Sequence, residues 1–150
     1  MNDRTLGRAG DRTLAQMLAL VFGVAFLGAG ILGFIPGITT NYGDMTFAGT
    51  ESGAELLGIF QVSILHNIVH LLFGVGILMA RTHEGALNYL LGAGVIYVVL
   101  FVYGLFVGND SDANFVPINN ADDVLHIVLA VGLLGSYFAS RGRGEYARAT

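Results

Sequence analysis

Residues 63–70 read SILHNIVH and sit inside a longer apolar run, residues 56–80, LLGIFQVSILHNIVHLLFGVGILMA. Residues three or four apart share a helix face, so Ser63, His66, Asn67 and His70 form one polar stripe on a helix otherwise made of Leu, Ile and Val. Ionisable side chains are costly in hydrocarbon and usually face a bundle interior or a watery cavity. The stretch therefore predicts a membrane-crossing helix with a polar, inward face.

Three further apolar runs flank it, at residues 13–37, 86–108 and 121–140. Each is close to the ~20 residues that cross a hydrocarbon core. The composition agrees: 54% of residues are hydrophobic and only 12% charged, with a mean hydropathy of +0.67, far from the values of soluble domains. The expected fold is all-α, a four-helix transmembrane bundle over residues 13–140, between a polar lead (1–12) and a polar tail (141–150). The first run is long and has no small-residue cleavage site followed by a polar mature chain, so it is read as a retained helix. Cysteine is absent, which excludes disulfides, thiolate metal sites and cysteine nucleophiles.

Charge is segregated by connection. All seven basic residues are arginines, at positions 4, 8, 12, 81, 141, 143 and 148. The other two connections carry Asp44, Glu51, Glu55, Asp110, Asp112, Asp122 and Asp123 instead. Under the positive-inside rule this puts both termini in the cytoplasm and both acidic loops outside.

Several local expectations follow. Tyr42, Met45 and Phe47 in the long first outer loop are placed at the membrane interface, where amphipathic aromatics anchor. Tyr89, Tyr97 and Tyr103 line the third helix and need hydrogen-bond partners, for which the His and Asn of the second helix are candidates. His83, among charges in the inner turn, reads as a solvated loop residue. Pro117 fits just before the fourth helix, Asn120 reads as its N-cap, and Asp122 and Asp123 suit the positive end of its dipole. Gly33 with Gly37 and Gly104 with Gly108 allow close helix packing within a chain or between copies, which leaves a homo-oligomer or a membrane-protein partner open.

A weak repeat sharpens the polar stripe. Residues 67–78, NIVHLLFGVGIL, align with residues 123–134, DVLHIVLAVGLL, so His70 falls on His126 and Gly76 on Gly132. Two helical hairpins in parallel repeat would bring these histidines to similar depth. The expectation is one pocket in the outer half of the bundle, built by Ser63, His66, Asn67, His70, Asp122, Asp123 and His126. Its simplest role is polar glue between helices, a structural or interaction function. A second reading makes His70 and His126 ligands of a b-type haem or a metal ion. A third makes the cluster part of a small-solute or proton pathway, against which the inner half of every helix is nearly free of polar residues. No serine elbow, phosphate loop or zinc-protease signature is present, and nothing points to nucleic acid.

The segments GFIPGITTNY, TFAG, LLGIFQVSILHNIVHLLFGVGIL and NFVPINNADDVLHIVLAVGLL together resemble domain-of-unknown-function family 4383, small four-span bacterial membrane proteins frequent in actinobacteria. The resemblance covers nearly the whole chain apart from its polar ends. It implies a multi-pass protein of the bacterial plasma membrane. The family has no established activity, so the resemblance carries over no catalytic residues.

Overall fold

A computed structural model describes residues 12–108 and 111–142. The polar lead up to residue 11, with Arg4 and Arg8, lies outside the described residues, as do Asp110 and the tail from residue 143, with Arg143 and Arg148. The described chain is mostly helical: α1 (Leu14–Leu32), α2 (Ile64–Phe73), the short α3 (Gly76–Met79), α4 (His83–Phe106) and α5 (Asn120–Ser140). Between α1 and α2 lie β1 (Thr39–Thr40), a single 3-10 turn (Tyr42–Asp44), β2 (Glu55–Leu56) and β3 (Phe60–Gln61). Helices α1, α4 and α5 are long and apolar enough to cross a membrane, with mean hydropathies of 2.1, 2.2 and 1.6. The fourth apolar segment, Ile64–Met79, is shorter.

Several expectations need correction. The fold is not all-α: β1, β2 and β3 form an antiparallel sheet in that order, with Thr39 opposite Leu56 and Leu56 opposite Phe60. The second helix does not begin at residue 56 either. Leu57 and Gly58 both adopt positive φ, 58° and 69°, a left-handed pair that a helix cannot contain and that turns β2 into β3. Ser63 then restarts the chain as a helix, its hydroxyl accepting from the His66 N–H at 3.1 Å as an N-cap.

The first helix stops at Leu32, short of the expected residue 37. Pro36 disfavours helical backbone at the residue before it, and Gly37 has φ 92°. The Thr39 hydroxyl donates to the Leu32 and Gly33 carbonyls at 3.2 and 3.1 Å, covering groups the ended helix leaves open. Helix α5 starts under Asn119, not Asn120: the Asn119 side chain accepts from Ala121 and Asp122 N–H, and Asp122 accepts back from the Asn119 N–H. That reciprocal pair is a capping box. His83 is not a loop residue. It opens α4, and its Nδ1 lies 2.9 Å from the Thr13 hydroxyl that caps α1.

The interior mixes many small residues with a few large ones, and large apolar residues cover the exterior. Ala15, Ala19, Ala86, Ala93 and Ala130 are buried with Phe26, Leu90, Tyr97 and Leu133. Val21, Val24, Val99, Val124, Val128, Val131 and Phe138 are exposed. So continuous an apolar exterior is foreign to a water-soluble monomer and fits a lipid-facing surface. Small residues set the helix separation. A Cβ at Gly23 would sit 2.6 Å from the Ile77 nitrogen and 2.9 Å from the Gly76 carbonyl carbon, whereas one at Gly28 would meet nothing within 4 Å. At the same level the segment from Gly74 to Leu78 tightens into i→i+3 bonds, including Val75 N to Leu72 O at 3.0 Å and Ile77 N to Gly74 O at 3.0 Å, a 3-10 step that separates α2 from α3.

Because the Gly23 neighbours are backbone atoms, Gly23→Val destabilises the protein by about 1–3 kcal/mol, and Gly28→Ala does not. Thermal unfolding of the two purified variants in one detergent checks this; equal melting temperatures would refute the close α1–α3 approach.

Candidate functional site

The outer cap and the start of α5 are stitched together by short polar contacts. Asp122 Oδ2 accepts from the Asn119 N–H at 2.9 Å and from the Gln61 N–H of β3 at 3.2 Å. Asn119 Nδ2 donates to the Ile59 carbonyl at 2.9 Å. Gly49 N–H donates to the Phe115 carbonyl at 2.7 Å, joining the first outer loop to the second. His66 Nδ1 lies 3.0 Å from the Pro117 carbonyl. A carbonyl only accepts, so this nitrogen carries the proton and the tautomer of His66 is set by the loop.

Beneath the cap the rings form a continuous cluster. His66 and His70, one turn apart on α2, stack with centroids 4.7 Å apart and planes 19° from parallel. His126 of α5 meets the edge of Tyr97 of α4 at 5.4 Å. Phe26, Phe73 and Tyr97 contact one another at 5.3–5.4 Å, and Phe26 also faces His70 at 6.2 Å. Of these groups, the Nδ1 atoms of His70 and His126 are buried without a hydrogen-bond partner among the described residues. Leaving a buried polar group unpaired costs roughly 1–3 kcal/mol.

Two cavities share these histidines as walls. One, of about 410 Å³, lies between α1, the β2–β3 turn and α5 and is bounded by Gly28, Phe60, His66, His70, Asp122 and His126. The other, of about 320 Å³, lies between α2 and α4 and is bounded by His66, His70, Tyr97, Tyr103, Phe115 and His126. Apart from these rings and Asp122 the larger cavity is lined by Ala, Leu, Val and Gly, with Ala25, Leu32 and Leu57 exposed at its rim.

The seven residues expected to share one pocket separate into two groups. His66, His70, Asp122 and His126 line the larger cavity. Ser63 is consumed as the cap of α2. Asn67 is turned toward α1, where its amide lies against Gly33 so closely that a Cβ there would overlap it, and its Nδ2 reaches only Met45 Sδ at 3.9 Å. Asp123 is turned away from the cavity, against Gly104 of α4. One residue of offset on a helix is a rotation of about 100°, which puts Asp122 and Asp123 on different faces. Among the described residues no group of three or more His, Asp or Glu side chains is arranged to hold a metal ion.

The tyrosines find partners other than the expected histidines and asparagine. Tyr89 donates to the Phe73 carbonyl at 2.9 Å, Tyr103 donates to the Ala113 carbonyl, and Tyr97 contributes only its ring to the cluster. The wall supplied by α1 was invisible in the sequence, because Ala25, Gly28 and Ala29 read only as packing residues. Gln61, one turn before the polar stripe, is placed by its backbone N–H on Asp122.

These features define a class: a helical, apolar-surfaced protein with a histidine-walled cavity near one end. The family described as "Domain of unknown function (DUF4383)" matches residues 16–139, and the chain belongs to that family. No curated protein matches it, and no solved structure does.

Asp122 carries two backbone bonds while Asp123 Oδ1 is buried without a partner among the described residues. Asp122→Ala therefore lowers stability by about 1–3 kcal/mol, the sum for two backbone hydrogen bonds of about 0.5–1.5 kcal/mol each, and Asp123→Ala has a clearly smaller effect. Melting temperatures in detergent decide; a larger loss at Asp123 would contradict the assignment.

Proposed function

We propose that the chain is a four-span integral membrane protein, with both termini cytoplasmic, that binds a small lipid-soluble molecule carrying one compact polar head. The observation that carries this reading is the pair of cavities walled by the same three histidines, two of which hold an unpaired buried Nδ1. Ligand sites are typically apolar hollows with a few convergent polar groups. Here the polar groups are imidazoles, which donate or accept, and the remaining surface suits a hydrocarbon body.

The membrane reading rests on the apolar exterior, the three long apolar helices and the arginine pattern. The sixteen residues of Ile64–Met79 reach about 24 Å at 1.5 Å per residue, short of a ~30 Å hydrocarbon core. The paired strands and residues 62–63 make up the difference. Non-helical backbone at that depth is tolerated because it is hydrogen-bonded within the protein and lines a cavity.

Structural glue accounts for Ser63, His66 and Asp122, whose polar atoms have protein partners, but leaves His70 and His126 without a purpose. A solute or proton pathway is disfavoured by the Phe26–Phe73–Tyr97 cluster, which floors the site with aromatic carbon. The haem or metal reading keeps one support, since the same two imidazoles are free to ligate.

The test is mass spectrometry of the organic extract of the purified protein, with an absorption spectrum and metal analysis alongside. A lipid-soluble compound is expected at near-stoichiometric level in the wild type. It falls about fivefold for each lost imidazole bond of about 1 kcal/mol in His70→Ala and His126→Ala. Gly28→Leu, which has room at its Cβ and fills the cavity, displaces it. Identical extracts from all four proteins sink the proposal, and a Soret band or bound metal lost in both histidine variants would put the cofactor reading in its place.

A further inference from the structure

At the opposite end of the bundle from the histidines, a cavity of about 270 Å³ is bounded by Arg12, Gln16, Leu20, Ile77, Ala80 and Arg81. We infer that it is a binding site for the phosphate headgroup of an anionic phospholipid, with the start of an acyl chain lying along Leu20 and Ile77. The inference rests on the membrane reading above but not on the ligand assigned to the histidine site.

Three observations converge on this chemistry. Among the described residues both charged groups in the lining are guanidiniums and no acid contributes to it; planar, forked guanidiniums match phosphate oxygens in bidentate fashion. Arg12 directly precedes the Thr13 cap of α1, and Arg81 directly precedes the Thr82 cap of α4. The two arginines therefore sit where apolar helices begin, the depth of lipid phosphates, and the positive ends of two helix dipoles add to them. The third observation is how the competing negative groups are handled. The carbonyls of Ala80 and Arg81, which end α3 and would repel an anion, both accept from Gln16 Nε2, at 3.1 and 3.0 Å. With those oxygens covered, the cavity presents donors and positive charge above an aliphatic floor. A free phosphate has no use for the floor, and a neutral lipid none for the arginines.

A lipid held there bridges α1 to the α3–α4 turn, so binding stabilises the fold. The experiment measures the melting temperature of the full chain, delipidated in detergent, against added phosphatidylglycerol, phosphatidylcholine or inorganic phosphate. Phosphatidylglycerol is expected to raise it well above the other two. Arg12→Gln and Arg81→Gln each lower the apparent affinity for phosphatidylglycerol about tenfold, the loss of one charge-assisted bond. Arg141→Gln is the control for diffuse charge, because Arg141 is occupied over the Phe138 ring at 4.9 Å; it leaves the phosphatidylglycerol effect intact. Should either glutamine variant fail to fold, Arg12→Lys and Arg81→Lys keep the charge while losing the fork, and an intermediate affinity is expected. Equal response of wild type and variants to phosphatidylglycerol, equal loss in Arg141→Gln, or an equal response to inorganic phosphate overturns the site. Failure of the protein to enter detergent micelles or bilayers at all would overturn the membrane reading as well, a result separable from a membrane protein that simply ignores lipid charge.

Discussion

Asp122 is the joint between the two parts of the molecule. Its carboxylate caps α5 through the Asn119 N–H and holds the last strand of the outer sheet through the Gln61 N–H. Two residues after Gln61, Ser63 starts α2, so the same contact fixes where the helix bearing His66 and His70 begins. On the other side it fixes where the helix bearing His126 begins. Strand, cap and both histidine helices are thus indexed to one side chain. The depth of each imidazole follows from it by counting turns.

Helix packing supplies the second constraint. Alanine and glycine on the inner faces bring the backbones close, as at Gly23 against Gly76 and Ile77, while bulky Val and Phe point outward. An arrangement of this kind gains nothing from the hydrophobic effect in lipid, where tails are as apolar as leucine. It depends on van der Waals contact at short range and on the few polar bonds that cross between elements. That explains why the cross-links gather at the two ends: Thr13 with His83 and Gln16 with the α3 end at one, the Asp122 network at the other. Between them the bundle is held by carbon, by the ring cluster around Phe26 and by the bond from the Tyr89 hydroxyl to the Phe73 carbonyl.

The periodic parts of this structure were legible in the sequence, and the aperiodic parts were not. The runs at 13–37, 86–108 and 121–140 fall on α1, α4 and α5 because hydropathy over twenty residues is a long-range signal that end effects barely disturb. The run at 56–80 misled because LLGIF is as apolar as a helix. Its conformation is set by Leu57 and Gly58 at positive φ and by pairing to Thr39, contacts no local pattern announces. The alignment of His70 with His126 did lead to two residues on the walls of the same cavities. What it missed was rotation: Asn67 and Asp123, equivalent in that alignment, are both turned off the cavity, toward Gly33 and Gly104. Each glycine leaves a hollow that a polar side chain fills, so the small residue on the neighbouring helix decides which way the polar residue faces.

That pairing of polar side chain with glycine separates the two kinds of polar group in this bundle. Asn67 and Asp123 are packed against glycines of the neighbouring helices, which accommodate their bulk. His70, stacked between His66 and Phe26, and His126, edge-on to Tyr97, border open volume instead. Their unpaired nitrogens cost stability wherever nothing bonds them, and a fold stabilised mainly by dispersion has little surplus to offset two such groups. Apolar residues of similar shape would pack there at no such cost. In the reading proposed above, a partner completes the imidazoles at both positions, and the carbon-lined cavities on either side would select one that is mostly hydrocarbon, with a polar head small enough to lie between α2 and α5.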